Sequence, residues 1–253
     1  MSKKFYEQEI KDAVLKERHL FYEDGITSDN EDIRVYNEKA IAQGKCIMDC
    51  FVLDRNGNTL GIEIKTERDS TQRLNKQLFY YSQVCSYVYV MCHDKHLPKV
   101  EKIIKDHNHK HVGILSYIDF KGTVMVGKYR KASLSPYRTP YHCLNILWKN
   151  ILVILLRYIR DPITFRTGYN YNAGGNQSGG DGHFNNLAFS KKRNTKPQII
   201  NGIISYIGRE NAYKLFTRCV IYGYTNRWHI VEEAFFKALR TEMSDFIGKR
   251  ENE

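Results

Sequence analysis

CIMDCFVLDRNGNTLGIEIK, residues 46–65, decides how the rest of the chain is read. Cys46 to Leu53 is almost continuously apolar apart from Asp49, the composition of a strand buried on both faces. Leu60 to Ile64 repeats the pattern with Glu63 intruding, and Asn56-Gly57 between the two runs predicts a hairpin. A carboxylate buried in such a place must be neutralised, hydrogen-bonded or bound to a cation. One acid in each of two paired core strands, with Lys65 beside them, points to a divalent metal between the acids. Glu63 and Lys65 are two residues apart and therefore share a strand face.

Register decides whether Asp49 joins them. A two-residue loop at Asn56-Gly57 sets Asp49 opposite Ile64 and sends its side chain to the wrong face. A three-residue loop, Arg55-Asn56-Gly57 with Gly57 left-handed, sets Asp49 opposite Glu63. A bulge beside the site has the same effect, and only these two arrangements unite the acids.

Downstream, a helix is expected from near Ser70 to Val84. Gln77 and Tyr81 stand four residues apart on it, on one face, so both can aim at the same site. Asp49, then Glu63-Ile64-Lys65, then Gln77 and Tyr81 resembles the PD-(D/E)xK phosphodiesterase superfamily with the Q-x-x-x-Y helix of RecB-like nucleases. The run Gly61 to Asp69, followed by Arg73-Leu74 and Gln77, is similar to the sce-type family of bacterial and phage proteins. The family's usual Arg-Ala-Asp is Ile47-Met48-Asp49 here, which removes a basic residue near the site.

That resemblance implies an α/β fold with a restriction-endonuclease-like core, a mixed sheet flanked by helices in the order α-β-β-β-α-β. It implies Mg²⁺ (or Mn²⁺) held by Asp49, Glu63 and the backbone carbonyl of Ile64, with Glu38 or Glu9 as a further acid. Lys65 would act at the attacking water, Gln77 and Tyr81 would complete the catalytic group, and Arg68, Arg73 and Lys76 would meet the nucleic-acid backbone.

The chain's 253 residues, 42% of them hydrophobic, suffice for a real core in one domain with an appendage or in two small domains. A formal charge of +11 draws the protein to polyanions, DNA first, with RNA left open. Solubility, or attraction to an acidic membrane surface, would explain the charge equally well by itself. Six scattered cysteines without paired C-x-x-C motifs fit reduced thiols in a cytosolic protein. Lys3, Lys4, Glu7 and Glu9 break any apolar leader, and Ile151 to Leu156 is too short to span a bilayer, so a cytoplasmic location without membrane contact is expected.

Taken in order, Lys4 to Phe21 reads as an amphipathic helix, Gly25 to Asp32 as loop, and Ile33 to Ile41 as a strand carrying Glu38. Ser86 to Met91, Val112 to Tyr117 and Thr123 to Val126 read as strands, and Leu97 to Asp106 as a helix. His107-Asn108-His109 is contiguous rather than the spaced signature of an HNH nuclease, and reads as a polar turn. A basic, loop-like shift from Lys128 to Arg138 divides the chain into a nuclease-like domain, 1–133, and a helical C-terminal domain, 134–253. The second part should hold a helix from Thr139-Pro140 to Arg160 and a Gly-rich loop near 167–183. A solvated Lys191-Lys192-Arg193 and a hairpin of helices, Pro197 to Tyr222 and Arg227 to Ile247, complete it.

The expected function is metal-dependent hydrolysis of phosphodiester bonds. Two others compete: a nucleic-acid-binding protein that keeps the fold with little catalysis, and a protein-interaction module around Trp148 and Trp228 in phage or defence systems. Pairing of two chains to cut both strands is left open.

Overall fold

Strands β2 (Cys46–Asp54) and β3 (Thr59–Lys65) form the expected hairpin, and the sheet extends outward from it in a computed structural model that describes residues 5–17, 19–21, 33–160 and 194–221. With β1 (Ile33–Ile41), β4 (Tyr87–His93), β5 (Gly113–Phe120) and β6 (Thr123–Arg130) they make a six-stranded mixed sheet in sequential order. The strands β1, β2 and β3 are antiparallel, β3, β4 and β5 run parallel, and β6 returns antiparallel to β5. Parallel neighbours need a crossover, which α2 (Leu74–Val84) supplies between β3 and β4 and α3 (Leu97–Asp106) between β4 and β5. Around them stand α1 (Glu7–Lys16), α4 (Pro140–Leu144), α5 (Lys149–Arg160) and the long α6 (Lys196–Ile221).

Both faces of the sheet are covered, which is why its strands read as nearly unbroken apolar runs. Phe51, Leu53, Val88 and Val90 enter a first core with Leu78 of α2, Val100 of α3, Leu144 of α4, Leu152 of α5 and Phe216 of α6. Val52, Ile62, Ile64, Tyr89 and Met91 enter a second core with Ile10 and Val14 of α1. The first core thus draws side chains from both sides of the 133/134 boundary.

Several elements depart from expectation. The first helix spans Glu7–Lys16 rather than Lys4 to Phe21. The helix expected from Ser70 begins at Leu74, because Asp69 Oδ2 accepts from the Thr66 amide at 2.7 Å and the Thr66 hydroxyl at 2.8 Å, holding a turn in front of it. The single helix expected over 139–160 is two. Thr139 caps the first by accepting the His142 amide at 3.2 Å, and the chain then tightens so that Ile146 and Leu147 donate to Cys143 and Leu144, three residues back. That turn buries Leu147 while Trp148 stays 54% exposed. Helix α6 is interrupted at Gly208, whose φ of 78° suits glycine. The Gly-rich loop, Lys191 to Arg193, the second helix of the C-terminal hairpin and Trp228 lie outside the described residues. All six cysteines are buried and free, and no described helix is long and apolar enough to cross a membrane.

Candidate functional site

Asp54 builds the turn that sets the register. Its amide donates to the Asn58 carbonyl at 3.1 Å, and its buried carboxylate accepts the Asn58 amide at 2.9 Å and the Asn58 side chain at 2.8 Å. Arg55-Asn56-Gly57 is therefore a three-residue loop, with Gly57 left-handed at φ 94°. The ladder runs from Leu53 opposite Thr59 to Cys50 opposite Ile62, and one further step sets Asp49 against Glu63.

The ladder stops there. Strand β3 stays paired with β4 as far as Lys65 opposite Cys92, so β2 and β3 separate at the acids while β3 remains anchored on its other side. Asp49 Oδ2 accepts the Ile64 amide at 2.8 Å and satisfies a donor that the ladder no longer serves.

Strand β1 is irregular at the same level. Asn37 pairs with Cys50 and Lys39 with Met48, leaving Glu38 across from Asp49 in the left-handed region at φ 56°. Side-chain alternation slips here as well: Met48 and Phe51 share the first core, whereas Cys50 and Val52 enter the second. A regular strand would put Met48 with Cys50, so the distortion is centred on the Glu38–Asp49 pair.

Glu63 is fully buried, accepting from the Lys65 ammonium at Oε1 and from the Tyr81 hydroxyl at Oε2. Tyr81, also fully buried, accepts the Asp49 amide at 3.1 Å, and its hydroxyl lies 3.2 Å from the Ile47 carbonyl oxygen. One phenol thus ties β2 and β3 to α2. Gly61 makes room for it, since a Cβ there would sit 3.1 Å from the Tyr81 ring and 2.8 Å from Cys85 Sγ. One helical turn earlier, the Gln77 side-chain oxygen is buried with no hydrogen-bond partner among the described residues.

Burial is the first cause of the shifted titration at the site. Burial, then the Glu63 charge and, more weakly, Glu7, push the Asp49 carboxyl up to about 7, against the pull of the Ile64 amide and Lys65. Burial, with Glu63 and Asp49 adding, raises the Cys46 thiol to about 11 and holds the Tyr81 phenol well above its ordinary value.

Some expected residues have other work. Glu9 turns back on its own helix, accepting the Tyr6 amide at 2.8 Å in a capping box. Glu38, its alternative, faces Lys11 at 3.4 Å, and Lys11 also pairs with Glu7 at 2.7 Å. Glu7 and the buried Lys11 are the residues that sequence reading missed; the available signal was a lysine next to Ile10 on the apolar side of α1. Ile64 contributes its amide to Asp49. Arg68 is exposed, stacked 4.8 Å from the Tyr6 ring centre. Arg73 and Lys76 are exposed on α2's first turn, and the Lys76 charge opposes the rise at Cys46.

Among the described residues no three His, Cys, Asp or Glu side chains form a metal-holding group. Two carboxylates, one with its pKa raised by burial and by the other, still suit a hard divalent cation that keeps several waters.

A family model described as Bacteriophage P4 protein cII matches residues 1–244. No curated protein and no solved structure matches the chain. The match corrects the resemblance to the PD-(D/E)xK superfamily and its sce-type family: no nuclease family matches, and short spaced motifs of acids, lysine, glutamine and tyrosine recur across unrelated chains. The chain belongs to the bacteriophage P4 protein cII family.

Proposed function

We propose that this protein is a metal-dependent phosphodiesterase acting on nucleic acid, with DNA as the first candidate. The observation that carries the reading is the meeting of Asp49 and Glu63 where β2 and β3 separate, with the Lys65 ammonium on Glu63. As architecture, the reading includes a restriction-endonuclease-like core: α1, three antiparallel strands, α2 and a parallel β4 follow one another in the order such a core needs.

Mg²⁺ or Mn²⁺ bound by Asp49 and Glu63, with the Ile64 carbonyl as a further donor, would supply an acidified water and neutralise charge on a phosphoryl oxygen. The protein's own part is positioning. The Ile64 amide orients the Asp49 carboxylate, and Tyr81 fixes the Glu63 carboxylate from the helix side. Lys65, held by Glu63, sets a cation where phosphoryl charge grows. Gln77 leaves a buried acceptor that no donor among the described residues serves. The exposed Arg68, Arg73 and Lys76, within a chain of charge +11, attract the phosphate backbone.

One observation favours a second reading, nucleic-acid binding without turnover. Glu63 is already neutralised by Lys65 and hydrogen-bonded by Tyr81, and no third acid joins the pair among the described residues. Incubating single-stranded, duplex and branched DNA, and RNA, with Mg²⁺, Mn²⁺ or EDTA separates the two. Metal-dependent cutting that Asp49→Ala and Lys65→Ala both abolish supports the phosphodiesterase. Salt-sensitive binding without cutting by any of them supports the second reading.

A further inference from the structure

A cavity of about 180 Å³ opens between the β1–β2 connection, helix α2 and the short helix α4. Its polar walls are Gln43, Lys45, Tyr80, Gln83, His142 and Asn145, with no carboxylate among the lining residues. Three carboxamides offer both donors and acceptors, Tyr80 offers an aromatic surface, and Lys45 is the single charge that histidine protonation does not decide. Burial lowers the pKa of His142, which keeps its ring neutral at pH 7, and its Nδ1 is already bonded to the Thr139 hydroxyl at 2.7 Å. The wall formed by Ala42 and Gln43 is left-handed at φ 49° and 58°, a conformation that non-glycine residues seldom adopt.

The cavity is close to the acids in sequence. Lys45 directly precedes β2, the strand that carries Asp49, so the four residues from one to the other span at most about 13 Å at ~3.3 Å each. Helix α2 carries Lys76, Phe79, Tyr80 and Gln83 at helical spacing, and Tyr80 and Gln83 share the cavity wall with Lys45, which brings this face of α2 beside the start of β2. Phe79 is 52% exposed with its ring edge-on to Tyr80 at 5.5 Å. A cavity walled by a lysine, an aromatic ring and amides, with Phe79 and Lys76 on the adjoining helix face, matches the chemistry of an unpaired nucleotide. Its rings can stack a base, its carboxamides can read a base edge, and its lysines can pair with phosphates. A paired base has its hydrogen-bonding edge occupied and its faces stacked, so it cannot enter.

We infer that this cavity takes one unpaired base of a single-stranded nucleic acid whose backbone runs past Lys45 and Lys76 toward Asp49, so that the substrate is single-stranded or carries a single-stranded arm. The inference rests on the proposed action on nucleic acid and names its strand class.

Binding measured in EDTA, where nothing is cut, tests it. A fluorescein-labelled single-stranded oligonucleotide and the matching blunt duplex are titrated with wild type, Tyr80→Ala, Tyr80→Phe and Gln83→Ala, following anisotropy. Wild type should bind the single strand more tightly than the duplex. Tyr80→Ala should weaken single-strand binding about tenfold, the loss of one stacked base, with duplex binding unchanged as the control for folding. Tyr80→Phe, which keeps the ring, should bind as wild type does. Equal affinity for the two forms, or single-strand binding indifferent to Tyr80→Ala, overturns the cavity's role and leaves the phosphodiesterase reading standing. Absence of binding to either form, both in EDTA and with Ca²⁺ in place of Mg²⁺, overturns both.

Discussion

Asp49 accepts the Ile64 amide at 2.8 Å, so a side-chain carboxylate occupies the place of a ladder rung between β2 and β3. The same burial that makes this bond effective raises the Asp49 pKa to about 7. A carboxyl raised on folding keeps its contribution to stability below its unfolded pKa, near 4, and loses it as pH rises toward 7. Asp49→Asn retains an acceptor for Ile64 and removes the charge. Its melting temperature should match wild type near pH 4 and exceed it at pH 8, with about 4 kcal/mol as the upper bound on the difference. Adding Mg²⁺ should raise the melting temperature of wild type alone. A wild-type advantage at pH 8 without metal would show that Asp49 is not held against its charge.

Gln77 separates function from stability. Its buried side-chain oxygen has no partner among the described residues, so Gln77→Leu removes an unsatisfied group at little cost in shape. Chemical denaturation should give a stability within about 1 kcal/mol of wild type, or above it. Cleavage should nonetheless fall about tenfold, the effect of one hydrogen bond made only to substrate. A large loss of stability would assign Gln77 to the fold instead.

Tyr81→Phe should behave in the opposite way. The phenol serves Glu63, the Asp49 amide and the Ile47 carbonyl, and removing it leaves buried groups short of a partner. Urea denaturation should show a loss of about 1–3 kcal/mol. Cleavage should survive better than in Lys65→Ala, because Tyr81 positions Glu63 whereas the role proposed for Lys65 is at the phosphate.

His111 governs acid sensitivity. It is buried, with its ring nitrogen 2.6 Å from the Ser82 hydroxyl, and burial, with His109 and Arg130 adding, holds its pKa at about 4. A histidine lowered on folding contributes stability that is fully present above its unfolded pKa, near 6.5, and lost as pH falls toward 4. His96, His109 and His142 are lowered in the same direction. His111→Gln should therefore narrow the drop in melting temperature between pH 7 and pH 5; an unchanged drop would place the acid-sensitive group elsewhere.

Much of this was legible in the residues. Of the two arrangements that unite the acids, the three-residue loop Arg55-Asn56-Gly57 is the one observed, and it sets Asp49 against Glu63. Apolar runs bounded by turn residues located β1 and α3 with their observed ends, Ile33–Ile41 and Leu97–Asp106. Pairwise and tertiary effects were not legible. Glu7 and Glu9 flank one apolar stripe, and only the packed helix shows that Glu7 reaches toward Asp49 through Lys11 while Glu9 caps. The Asn145–Trp148 turn arises because Leu147 is drawn into a core whose other members lie far along the chain, and periodicity carries no record of that pull. The family could not be read from the motif either, since the spacing describes a local geometry that many lineages can reach.

The hairpin that carries the acids is gripped at its turn. Arg138 donates to the Gly57 carbonyl and stacks 4.0 Å from the Tyr213 ring centre, and a Cβ on Gly57 would meet the Lys214 backbone at 3.1 Å. At the other end the two strands are no longer paired. The arrangement is that of a tuning fork, held at the stem by the C-terminal half of the chain, with a carboxylate on each prong. Each prong is also braced from outside, β2 by β1 and β3 by β4, so the sheet itself sets the gap between Asp49 and Glu63, and a guest seated there meets two carboxylates already spaced to receive it.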